Sequence, residues 1–129
     1  MAAPNRRPAW PATIEVGGLP PSPNRRMAWQ KRRRLVQPLA DAVAWQARAL
    51  GLPRPLERAR VQFTLIHTRG PLRDADNAQS SCKELLDGLV RGGLLVDDGP
   101  DHVELAGIVQ VFGPQLGVTI EVWPAPETA

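Results

Sequence analysis

Three observations predict an α/β chain of the α+β kind, a mixed sheet with two helices packed against it in the order β-α-β-α-β-β. Short stretches alternate apolar and polar residues, two longer stretches repeat apolar residues at helical spacing, and Gly- or Pro-rich turns separate them. The 129 residues suit a single domain, since domains commonly hold about 100 to 150 residues. The expected bounds are a lead-in at 1–12, a folded domain at 13–123 and a tail at 124–129.

The first strand is expected near Thr13, where "TIEVGG" puts Ile14 and Val16 on one side and Thr13 and Glu15 on the other before Gly17 and Gly18 end it. "LPPSPNRR" follows, and its three prolines forbid a helix there. From Met27 to Leu50 the chain reads as helix, with Leu35, Leu39, Ala42, Val43, Ala47 and Leu50 on the apolar stripe. Pro38 lies inside it, so the helix either starts near Gln37 or kinks. Arg60 to Thr68 reads as a strand with Val61, Phe63 and Leu65 inward. A second helix ends near Arg91 and buries Ala78, Cys82, Leu85, Leu86 and Leu89, with Gly92 and Gly93 as its stop. Val103 to Phe112 and Val118 to Trp123 complete the sheet across the turn "GPQLG".

Charge is divided along the chain. Residues 1–69 carry 13 Lys and Arg against 3 Asp and Glu, and residues 70–129 carry 3 against 10, within a net charge of +3. A basic half suits a polyanion, whose phosphates attract Lys and Arg. The acidic half suits solubility, or metal ions placed between acids and phosphates. There is no apolar run long enough for a membrane span, no signal peptide, and one cysteine, Cys82, which together lead us to expect a cytoplasmic protein without disulfides.

The acids concentrate in "RDADNAQSSCK", Arg73 to Lys83. Asp74 and Asp76 are two apart, so on an extended segment both side chains project to one side and share a hard cation. Helix capping and turn formation are the commoner uses of such a pair. Asp97 and Asp98 follow the second helix, where an antiparallel return brings them beside the first pair; a solvated turn is the alternative. Magnesium, or manganese in its place, would meet such oxygen ligands. If the helix is continuous from Asp76, then Ser80, Lys83 and Asp87 lie within about 60° of its face, and Lys83 sits about 10 Å along the axis with a side chain that leans back. The alternatives are an i,i+4 pair of Lys83 with Asp87, and a helix start at the capping box Ser81-x-x-Glu84.

Other chemistry is less well supplied. The chain has no Gly-x-Ser-x-Gly elbow and no phosphate-binding P-loop, and Cys82, His67 and His102 lack zinc spacing. "RRMAWQKRRR", Arg25 to Arg34, is the strongest polyanion patch, comprising Arg25, Arg26, Lys31, Arg32, Arg33 and Arg34. Trp29 and Trp45 are read as core or dimer packing, with base stacking as the functional alternative.

Together these residues resemble the RusA family of Holliday junction resolvases. The resemblance rests on "RDADN", "LLDGLVRGGLLVDD" and "HV", and on the earlier "LPPSPNRR", and it spans most of residues 13–123. It implies a homodimer that nicks two symmetry-related strands of a four-way DNA junction with magnesium. It also implies that Asp74, Asp76 and Asp98 are catalytic acids with Asp97 beside them, that Lys83 is the family's lysine, and that Asn24, Arg73 and Asn77 occupy adjoining motif positions facing DNA. The family pattern has lysine four residues after the second aspartate. Here that position is Ser80, and Lys83 is followed four residues later by Asp87, as if three residues were inserted. A less selective branched-DNA nuclease and an inactive DNA-binding module are the alternatives.

Overall fold

The computed structural model of the chain describes residues 9–22 and 27–126. Seven elements follow in order: β1 (Ala12–Gly17), α1 (Trp29–Ala49), β2 (Ala59–His67), α2 (Ala75–Ser81), α3 (Lys83–Arg91), β3 (Val103–Phe112) and β4 (Gly117–Pro124). The strands form one mixed sheet in the order β1-β4-β2-β3. β4 pairs antiparallel with both β1 and β2, while β2 and β3 run parallel. A parallel neighbour requires a crossover, and α2 with α3 supplies it. The α+β class and its mixed sheet are thus as the alternation and helical spacing predict.

The alternating strands bury one face. Ile14 and Val16, Val61, Phe63 and Leu65, and Val118, Ile120 and Val122 join the core, and the helices add Val43, Ala47, Ala78, Cys82, Leu85, Leu86 and Leu89. The apolar stripe expected for the second helix is therefore the buried one. The stripe expected for α1 is met at Val43 and Ala47, which are buried, and at Leu39, Ala42 and Leu50, which pack against the core, but its buried side is wider than the spacing predicts. Its buried residues are Val36, Ala40, Val43, Ala44 and Ala47, while Leu35 is exposed. The cause lies on α3: a Cβ on Gly88 would stand 2.7 Å from the Ala40 carbonyl oxygen, and one on Gly92 would stand 2.5 Å from that of Ala44. Glycines four apart let the backbones approach where α1 presents alanine, so the small residues of α1 face inward.

Helix α1 runs through Pro38 instead of starting at Gln37. Pro38 is exposed, so the Arg34 carbonyl that loses its intrahelical donor there can be met by water. The crossover is less regular than expected. The helix from Asp76 is interrupted at Cys82, and neither half has a side-chain cap, so the Ser81–Glu84 capping box does not form. Ser81 instead donates its hydroxyl to the Asn77 carbonyl, and Glu84 accepts from Arg32. Trp29 and Trp45 are exposed on α1 and contribute nothing to the core.

Candidate active site

The topology decides where the acids stand. Asp74 and Asp76 follow the C-terminal end of β2, whereas Asp97 and Asp98 precede the N-terminal end of β3. Because β2 and β3 are parallel neighbours, those ends lie at opposite ends of the strand pair, and the α2–α3 crossover runs between them. Among the described residues no three His, Cys, Asp or Glu side chains come together as a metal-holding group. The expected cluster of three or four carboxylates is therefore not formed. Two local features add to this. Asp74 has ψ 150 and Ala75 is already helical, so Asp74 and Asp76 do not share an extended segment. Asp97 turns a carboxylate oxygen to the Asp98 backbone N–H, which donates to it at 2.8 Å.

What the crossover does assemble is a cleft of about 610 Å³ along α2 and α3. Asp76, Ser80, Lys83, Leu86 and Asp98 line it, with Leu105 from β3. Asp76, Lys83 and Asp98 are exposed there. Among the described residues none of the three side chains has an ion-pair partner. Asp87, the neighbour that an ordinary surface Lys83 would pair with, is bonded instead to Arg91 at 3.1 Å. Neither Asp74 at the start of α2 nor Asp76 in its first turn is engaged as a capping side chain. Their carboxylates are thus not occupied by the uses that most often explain such a pair.

The donor set can be weighed against a magnesium ion on these facts. Magnesium takes one or two protein carboxylates and completes its shell with water and substrate phosphate. Asp76 and Asp98 both line the one cleft, so two carboxylates, the number magnesium takes from protein, are available there, one from each end of the crossover.

The basic residues separate into two groups. Lys31, Arg33 and Arg34 are exposed on α1, with the Arg33 guanidinium 5.4 Å from the centre of the Trp29 ring. Arg32 is committed inward: it donates to Glu84 at 2.9 Å and to the Pro21 carbonyl at 2.8 Å, tying α1 to α3 and to the proline-rich segment. Arg32 therefore braces the fold and is not among the free cations of the patch. Asn24, Arg25 and Arg26 lie outside the described residues.

Arg73 likewise differs from a free phosphate-gripping side chain. It is half-buried, and its guanidinium donates to Ser81 Oγ at 2.8 Å. Burial pulls the guanidinium below its ordinary pKa, with Arg32 adding in the same direction and Cys82 opposing. Asn77 is half-buried and supplies its carbonyl to Ser81. Sequence reasoning missed Gln110, whose amide meets the Arg73 backbone. The signal was a lone polar residue in "IVQVF". Neither a protein-family model nor a curated protein matches the chain.

Proposed function

We propose that the protein is a magnesium-dependent, structure-selective endodeoxyribonuclease of the RusA type, resolving four-way junctions by paired nicks as a homodimer. The observation that carries this reading is the cleft lined by Asp76, Lys83 and Asp98, none of which has an ion-pair partner among the described residues. Asp76 and Asp98 would hold the ion, with Asp74 and Asp97 flanking them in the chain. When bound, magnesium supplies Lewis-acid stabilisation to phosphodiester hydrolysis. Lys83 lines the same cleft, and its cation would neutralise charge developing on the phosphate oxygens. Lys31, Arg33 and Arg34 hold phosphates of the arms and fix orientation without reading bases. A two-fold dimer suits a substrate with two scissile strands.

Selectivity is tested by offering the purified protein a labelled four-way junction, a flap and a linear duplex in magnesium, manganese or EDTA. Preferential, paired cutting of the junction in either metal is expected. Equal cutting of all three substrates removes the resolvase reading and leaves a general nuclease. Tight junction binding with no cleavage in either metal favours the binding-module alternative.

A further inference from the structure

We propose that Gln110 and Arg73 are the positioning residues of this cleft, together fixing the loop that carries Asp74 and Asp76 and the joint from which Lys83 departs. The proposal rests on the nuclease reading for its functional consequence, while its structural content stands on the following geometry.

The segment between β2 and α2 has no ladder of its own, and Gln110 of β3 supplies the missing partners. Its Nε2 donates to the Arg73 carbonyl at 2.8 Å, and its Oε1 accepts from the Arg73 N–H at 3.0 Å. Bonding both backbone groups of one residue reproduces what a neighbouring strand would offer. The amide has only one satisfactory orientation, because a flip would set donor against donor and acceptor against acceptor. With Oε1 so fixed, His67 Nε2, 2.9 Å away, must donate to it, which places a ring proton on Nε2. His67 is itself buried at the end of β2, so the clamp is anchored on two adjacent strands.

From Arg73 the connection continues to the other side of the site. Its guanidinium donates to Ser81 Oγ, and the Ser81 hydroxyl donates in turn to the Asn77 carbonyl. Ser81 is the last residue of α2, Cys82 is the joint, and Lys83 opens α3. A single arginine therefore has its backbone next to Asp74 and its guanidinium at the residue two before Lys83. The arrangement gives the later-placed lysine a fixed relation to the acids: the break at Cys82, instead of an unbroken helix, sets its direction. Through these contacts neither Arg73 nor Gln110 acts on phosphate directly.

Hydrogen exchange, junction binding and single-turnover cleavage of Gln110→Met, Gln110→Glu, Arg73→Ala and Arg73→Lys test this. In Gln110→Met, protection of the Arg73 amide and of the Cys82 and Leu85 amides at the joint is expected to fall together, while β2 and β4 keep theirs. Gln110→Glu, which keeps the acceptor but sets a carboxylate oxygen against the Arg73 carbonyl, is expected to lower protection at the same amides at least as much. Cleavage should slow by about 10- to 100-fold, the usual cost of removing a group that orients a site, with junction affinity in EDTA unchanged. Arg73→Lys, which retains a donor for Ser81, should recover part of what Arg73→Ala loses. Loss of protection at Arg73 alone, or uniform loss through β2 and β4, overturns the proposal whether or not the protein cuts DNA. So does an Arg73→Ala defect that is carried by junction affinity, since that marks a DNA contact. A wild-type protein that cuts no DNA removes the nuclease reading, and the exchange pattern then judges the clamp by itself.

Discussion

Single residues in the crossover change meaning with their surroundings. Asp76 and Lys83 were legible as chemistry because charged side chains two helical turns apart invite a common target, and both do line one cleft. Arg73 belongs to the same motif by sequence yet turns inward to Ser81, a choice made by partners that lie far along the chain. Cys82 is the clearest case of environment overriding type. Burial pushes its thiol up to about 12 from a normal value of 9.0, Arg73 opposing and Glu84 reinforcing the rise. The native protein should therefore resist iodoacetamide at about pH 8, where an exposed, unperturbed thiol reacts readily. Rapid labelling without denaturant would contradict the burial. The linkage has a definite sign: a pKa raised on folding contributes stability below the unfolded value near 9.0 and loses it as pH rises through about 12. Denaturant melts should show wild type losing more stability than Cys82→Ala across that alkaline window.

Among the elements, β1, β2 and β4 were readable because alternation identifies the face that each one buries, whereas β3 has the bounds its sequence suggests but exposes Val109 and Val111 and turns Gln110 inward. The burial of Val36, Ala40 and Ala44 on α1 was not readable, since several stripes of its alanine-rich surface are compatible with burial and the partner helix chooses among them. The glycines at 88 and 92 make that choice by permitting close approach. Gly92→Ala should destabilise the protein by about 1 to 3 kcal/mol, the usual cost of overpacking, because its Cβ would stand 2.6 Å from the Ala47 Cβ as well as against the Ala44 carbonyl. Thermal or urea unfolding measures it, and an unchanged midpoint would show that α1 and α3 can separate freely. The broken crossover was equally hidden. Apolar spacing continues smoothly from Ala78 to Leu89, and the capping box is not used because α3 starts from Cys82 while Ser81 bonds Arg73 and Asn77 and Glu84 bonds Arg32.

For the whole molecule, strand pattern gives faces but not neighbours, so the parallel β2–β3 pair and the insertion of β4 between β1 and β2 become evident only in the assembled sheet. That pairing is also what keeps the two aspartate pairs apart and leaves one acid of each pair in the cleft. The division of charge between the halves survives folding in part: Lys31, Arg33 and Arg34 stay exposed, while Arg32 is taken up internally. Replacing Lys31 or Arg34 by alanine should weaken junction binding similarly for all sequences and reduce the slope of log affinity against log salt by about 1 each. An unchanged slope would place the DNA on another surface. The central claim, that the cleft is a magnesium-dependent cutting site, is tested most directly by comparing wild type and Asp76→Asn on a labelled four-way junction, with cleavage measured in magnesium and binding in EDTA. Wild type is expected to cleave the junction and Asp76→Asn to bind it without cleaving; undiminished cleavage by Asp76→Asn would show that the cleft is not the cutting site.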